Sequence, residues 1–258
     1  MATYAVLGST GTVGGSVIEE LLKSPARHIY AYARSTKKLF TLHPDWEKSP
    51  NLDAYEGTLQ DIETLADCIS GTKAVFMCAA TAENQPGCDV ARQQAKSVVK
   101  ALDELRIREP QAQLPQLVVL SSSTLEPHLT RDLPALFHWL LVRAGSHIYA
   151  DLELAEQFLR SRDDIKQVYI KPGGLVQDIP HGHQLSTERQ QTFLSFVDLA
   201  AGMVEVAEAG DQYDLKNISV IPATEGTRIE WGVPYYLFKG LLIHWLPGLY
   251  PYISNWLP

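Results

Sequence analysis

Tyr4-Ala5-Val6-Leu7-Gly8-Ser9-Thr10-Gly11-Thr12-Val13-Gly14 is the stretch whose reading decides the fold. Ala5-Val6-Leu7 is a short apolar run of the kind that forms a buried parallel strand. Three glycines follow, and then Val17, Ile18, Leu21 and Leu22 recur at helical spacing. Strand, glycine turn and helix in that order point to a dinucleotide phosphate site. Gly8 permits the tight turn, Gly11 lets backbone N–H groups approach a pyrophosphate, and Gly14 lets the helix pack closely on the sheet. Ser9, Thr10, Thr12 and Val13 fill the turn, and the helix N-terminus supplies unpaired N–H groups and a positive dipole end.

The chain has 258 residues, enough for one large α/β domain and short for two. We read it as a single domain over 1–258, with a dinucleotide-binding core at 1–172 and a C-terminal substrate or lid region at 173–258. Hydrophobic residues make up 45% and the net charge is −8, which disfavours a nucleic-acid partner. Cys68, Cys78 and Cys88 form no C-x-x-C pair, which fits a reducing, cytoplasmic setting. The first strand leaves no room for a leader, and no apolar run approaches the roughly 20 residues of a spanning helix.

Further strands are expected over His28–Ala33, 52–57, 74–80, 117–120, 168–171 and 216–221. The second ends at Arg34, 20 residues beyond Gly14, with Lys37 and Lys38 close behind and no acid at the strand end. An arginine there accommodates a 2′-phosphate, so the pattern predicts NADP(H) rather than NAD(H). Residues 41–51 read as a surface loop, and Asp61 as the N-cap of a helix running to Ile69. The small residues Ala79, Ala80 and Thr81 let backbone approach a cofactor, and Cys78 reads as a core thiol. Residues 125–147 look irregular, with a helix beginning by Tyr149, and 177–191 reads as a loop carrying His181 and His183. That histidine pair lacks a third ligand at any usual spacing, so no metal is expected.

The glycine spacing resembles the extended and atypical branches of the short-chain dehydrogenase/reductase superfamily. The resemblance implies a doubly wound, mostly parallel α/β Rossmann sheet with a small C-terminal substrate-capping region. It also implies that Thr58 and Leu59 touch the adenine, that Pro172 borders the cofactor, and that a Ser–Tyr–Lys set performs the chemistry. Ser123 and Tyr149 stand at the spacing usual in extended members. The lysine position is Glu153, which has the wrong sign: a nearby carboxylate raises a tyrosine pKa. Three readings follow. Redox chemistry is lost and the cofactor is structural or sensed; Tyr149 or Glu153 acts as acid or base in an isomerisation, dehydration or ring opening; or another cation, Lys171, stands in for the missing lysine. The combination of the glycine turn, Tyr149-Ala-Asp-Leu-Glu153-Leu-Ala-Glu156 and Lys171-Pro-Gly-Gly174 is similar to fungal atypical reductases of aromatic polyketide gene clusters, the averufin-oxidase-like enzymes among them. That similarity implies a polycyclic aromatic substrate in secondary metabolism.

From Trp231 onward the chain is rich in Tyr, Trp, Phe and Leu, and nearly without charge after Lys239. Such a stretch serves as an apolar lid, an oligomer interface such as a homodimer contact, or a surface that dips into a membrane. Lid or interface is favoured, because no basic face supports membrane contact.

Overall fold

A computed structural model describes residues 1–81, 83–224, 226–227 and 232–254. Trp231, Trp256 and Leu257 of the aromatic stretch lie outside the described residues. The strands are β1 (Ala2–Leu7), β2 (Arg27–Ala33), β3 (Leu52–Glu56), β4 (Ala74–Met77), β5 (Gln116–Leu120), β6 (Gln167–Ile170), β7 (Leu175–Val176), β8 (His183–Ser186), β9 (Leu194–Ser195) and β10 (Asn217–Pro222). The main sheet has the order β3-β2-β1-β4-β5-β6-β10-β8, parallel except for the β10–β8 pair, while β7 and β9 form a small separate pair. This is the expected doubly wound arrangement, with the order reversing between β1 and β4.

The helices are α1 (Thr12–Leu22), α2 (Thr36–Leu42), α3 (Ile62–Ile69), α4 (Val90–Arg108), α5 (Ala135–Ala144), α6 (Ser146–Arg160), α7 (Phe196–Glu208), α8 (Val233–Trp245) and α9 (Tyr250–Ile253). Alternation along β1 divides the core. Tyr4 and Val6 face α1 and α7, while Ala5 and Leu7 face α3, α4 and α6. Strands buried on both faces explain why their sequences run continuously apolar instead of alternating.

Several expectations need correction. Residues 125–147 are not irregular: they hold α5, and α6 begins at Ser146. Ala135-Leu-Phe-His-Trp-Leu-Leu-Val-Arg-Ala144 is apolar on nearly every side and no residue in it is buried, so it shows no single helical stripe. The 41–51 segment contains the end of α2 and a 3₁₀ turn at Pro44–Lys48, and the 177–191 loop contains the edge strand β8. Residues beyond 172 include β8 and β10, which extend the main sheet, and α7, which packs against them. Asp61 stands at the start of α3, but its carboxylate accepts the Thr58 N–H at 2.6 Å and the Thr58 hydroxyl at 2.8 Å instead of capping the helix.

Asp151 does the capping expected of a helix's own first residue, in another helix. Its carboxylate, buried on α6, accepts the N–H groups of Ala91 at 2.8 Å and Arg92 at 3.1 Å, while Asp89, at the N-cap of α4, makes no capping bond. Asp151→Ala is expected to cost roughly 1–3 kcal/mol. That corresponds to about 2–4 °C in Tm per kcal/mol for a domain of this size. Thermal unfolding followed by circular dichroism checks it; an unchanged Tm would show that α4 does not depend on this cap.

Candidate active site

The glycine turn is closed by contact, not by composition alone. Gly8 has φ +84°, and a Cβ on it would lie 2.8 Å from the Ala79 nitrogen at the end of β4. A Cβ on Gly14 would lie 2.3 Å from the Gly8 carbonyl oxygen, and the Gly11 N–H donates to that same oxygen at 2.9 Å. Ser9 is fully buried, its hydroxyl 2.7 Å from the Val6 carbonyl and 3.1 Å from the Tyr32 carbonyl, so its side chain clamps the turn onto β1 and β2. Thr10 and Val13 are half-buried, and Gly11 and Thr12 are exposed. No side chain caps α1 and no acid sits in its first turn, which leaves the first N–H groups to a ligand.

Arg34 is exposed at the end of β2 and makes no ion pair or side-chain hydrogen bond among the described residues. An acid does reach this corner from the neighbouring strand, since Glu56 pairs with Ala33 across the sheet. Its carboxylate is occupied by the Thr36 N–H at 2.8 Å and hydroxyl at 2.6 Å, bonds that hold it below the usual carboxylate range. Thr58 is fixed by Asp61 and by the Tyr32 hydroxyl, which donates to its carbonyl at 2.8 Å, and burial pushes Tyr32 up to about 12. Leu59 and Ala79 are half-buried and Ala80 is exposed. The Thr81 hydroxyl is buried with no hydrogen-bond partner among the described residues. Burial pushes the Cys78 thiol up to about 12, as befits a core residue. A cradle that a Cβ would fill, a free helix end and an unpaired guanidinium together fit a phosphorylated dinucleotide.

Beyond the turn, the carboxyl ends of β5 and β6 are tied together. Ser121 N–H donates to the Ile170 carbonyl at 2.8 Å, and Ser123 N–H to the Pro172 carbonyl at 3.0 Å. Ser123 is buried at the start of a 3₁₀ turn, Ser123–Leu125. Lys171 follows β6 with only 2% of its surface exposed, its Nζ 2.9 Å from Glu156 Oε1 and 3.9 Å from Glu126 Oε2. The Ser121 hydroxyl donates to Glu156. Asn217 donates to Glu126 at 2.5 Å and accepts from Arg160 at 2.6 Å, and Arg160 lies 3.7 Å from Glu156. Two carboxylates and two cations thus close a ring beneath the site.

Tyr149 is half-buried on α6 and lines a cleft of about 250 Å³ with Leu141, Ala144, Tyr236, Leu237 and Ile243 from α5 and α8. Glu153 is not brought into the ring. It is exposed and accepts a hydrogen bond from Gln157 at 3.4 Å. Glu156, seven residues after Tyr149 and so on the same side of a helix with about 3.6 residues per turn, takes the inward position instead. That spacing was the available signal for Glu156; no local pattern marked Ser121, Glu126 or Asp151. His181 pairs with Asp178 at 3.1 Å and His183 with Glu205 at 2.7 Å, and no metal-binding cluster occurs among the described residues. A larger hollow of about 450 Å³ lies at the opposite edge, lined by Ala2, Thr3 and Gln116. Ligands of open α/β sheets bind at the carboxyl ends of the strands, so that hollow is not the site.

A model of the NAD(P)H-binding family matches residues 8–209. The chain belongs to that family. Among curated proteins it is 45% identical to oxidoreductase stcQ of Emericella nidulans, covering 99% of this chain and 96% of the relative. It is 42% identical to oxidoreductase aflX of Aspergillus parasiticus, covering 99% and 96%. Oxidoreductase GME11367 of Pestalotiopsis microspora is 39% identical over 99% and 98%. Among solved structures, a wide-type short-chain dehydrogenase/reductase from Veillonella parvula in complex with NADP superimposes with a TM-score of 0.68 at 17% identity, covering 89% of this chain and 99% of that one. The oxidoreductase ylbE from Lactococcus lactis gives 0.66 at 19%, covering 92% and 95%. These structures share the Rossmann fold expected from the glycine turn.

The free guanidinium yields a test. A charge-assisted pair to a 2′-phosphate contributes roughly 1.5–3 kcal/mol, about tenfold in affinity for each 1.4 kcal/mol. The parent is expected to bind NADPH more tightly than NADH, and Arg34→Ala to remove most of the difference in a fluorescence titration. Equal affinities in the parent would remove Arg34 from cofactor selection.

Proposed function

We propose that this protein is an NADPH-dependent oxidoreductase that reduces a carbonyl of a polycyclic aromatic polyketide. The observation that carries this reading is the placement of Tyr149 in an apolar, aromatic-lined cleft on the same chain as a cradle fitted to NADPH. Relatives named as oxidoreductases in several fungi support it, and so does the similarity to polyketide-cluster reductases. Bound NADPH supplies the hydride. Ser123 and Tyr149 hydrogen-bond the substrate carbonyl, and Tyr149 gives its hydroxyl proton to the oxygen as hydride reaches the carbon. Lys171 supplies the cation that Glu153 cannot, its charge held in place by Glu156 and Glu126. Ser121 fixes the orientation of Glu156. The walls Leu141, Leu237 and Ile243 exclude water from the reacting face and pack on fused rings.

A second reading keeps the cofactor but moves only protons. It is favoured by one observation, the carboxylates that follow Tyr149 on α6: Glu153 on its exposed side and Glu156 on its inward side. In that reading Tyr149 or Glu153 is the acid or base of an isomerisation, dehydration or ring opening. Stoichiometry separates the two. Reduction consumes one NADPH per product, whereas product without NADPH oxidation selects the proton-transfer reading. NADPH binding with no turnover on any aromatic carbonyl would leave a cofactor-sensing protein.

For reduction, Tyr149→Phe is expected to lower kcat by about 10²–10⁴-fold without changing NADPH affinity, and Glu153→Gln to leave both close to the parent. Lys171→Met alone strands Glu156 as a buried charge, which costs roughly 3–5 kcal/mol, so the informative variant pairs Lys171→Met with Glu156→Gln. That double variant is expected to fold and bind NADPH while losing turnover. Full activity in Tyr149→Phe would exclude Tyr149 as the proton donor.

A further inference from the structure

The helices that wall the cleft also carry large exposed apolar residues. Leu136 and Trp139 on α5 and Phe238 and Trp245 on α8 are exposed, Leu136 by 71% and Phe238 by 64%. They form one surface. Gly240 packs on the Ala144 carbonyl and the Trp139 and Trp245 rings lie 6.4 Å apart, so the helices run antiparallel. Phe238 and Trp245 are seven residues apart and share a stripe of α8. Tyr252, on α9, is 75% exposed. Contiguous apolar faces of this kind mark an interaction surface.

Charge says what covers it. None of the 30 acidic residues falls in 133–150 or 231–258, although the whole chain carries −8. Lys239 is paired with Glu83 at 2.9 Å, and the Arg143 guanidinium lies 3.8 Å over the Trp139 ring. Tryptophan and tyrosine favour the headgroup level of a bilayer, where an arginine beside them reaches lipid phosphates. In a two-fold contact the face would meet itself, and Glu83, the carboxylate that reaches α8, is already paired with Lys239. Tyr236 lines the cleft and is itself exposed.

We propose that the α5–α8 face docks on the surface of a zwitterionic lipid bilayer, lying in the interface without crossing it. No helix among the described residues is long and apolar enough to cross. The want of a basic face, which speaks against an anionic membrane, does not weigh against a zwitterionic one: attraction is apolar, so phosphatidylcholine vesicles suffice. Anionic lipid does not strengthen binding, because the rest of the protein is acidic.

The test is co-sedimentation of the whole protein with phosphatidylcholine vesicles, with and without phosphatidylserine. The parent is expected to partition, with little salt dependence. Phe238→Ser and Trp245→Ser are each expected to weaken partitioning by about tenfold while NADPH affinity is unchanged. Vesicles of brominated phosphatidylcholine are expected to quench the parent's tryptophan fluorescence, a readout that needs no variant. No partitioning, or no quenching, overturns the proposal. So does a concentration-dependent dimer in analytical ultracentrifugation that Trp245→Ser abolishes and vesicles leave intact, since a second copy then covers the face.

Discussion

A buried ammonium sets the terms for the carboxyl end of the sheet. Lys171 is nearly without solvent exposure, and an unpaired charge there would be strongly destabilising. Glu156 answers it at 2.9 Å, and Glu126, Asn217, Arg160 and Ser121 complete the ring. The members come from β10, α6 and the segments that follow β5 and β6, so one electrostatic requirement registers all four. It also fixes the rotation of α6 about its axis. With Glu156 turned to Lys171, Tyr149 faces the same flank two turns earlier, and Asp151 reaches the start of α4 from the other flank. The orientation of the proposed proton donor therefore follows from a salt bridge that does not touch substrate.

The cofactor half was legible because its physics is local. A doubly buried strand, a turn that tolerates no Cβ at Gly8 or Gly14, and an amphipathic first helix sit within about two dozen residues and each leaves a sequence mark. The position of Arg34 at the end of β2 was legible for the same reason. Glu56 was missed because it arrives at that corner through strand pairing with Ala33, not through sequence proximity. Lys171 was noticed as a cation, but its partner could not be read: Glu156 is 15 residues away and meets it only once α6 folds onto β6. The helix α5 was illegible for another reason. A helix with no buried residue and apolar side chains on nearly every side has no stripe to detect, and it is held by α8, a partner almost a hundred residues later.

The two halves of the site are joined differently. Around the glycine turn, contact is backbone on backbone and leaves no slack. The α5–α8 pair is attached by a few polar clips: Asn84 accepts the His147 N–H at 2.8 Å and donates to the Gly240 carbonyl at 3.3 Å, Lys239 binds Glu83, and His244 meets the Ser146 hydroxyl at 2.9 Å. Burial and the neighbouring His244 lower the His147 pKa, favouring a neutral imidazole at this junction. Between the clips, Gly240 lets α8 approach α5 so closely that any Cβ would strike the Ala144 carbonyl oxygen. Side chains on the walls of the cleft, such as Leu237 and Leu141, take no part in those polar clips. They can change with substrate shape while the cradle, the Lys171 ring and the Asp151 cap stay fixed. Under the proposed function, specificity and cofactor binding would be separable because different forces hold them: close backbone packing for the cofactor, and side-chain volume on a clipped-on helical pair for the substrate.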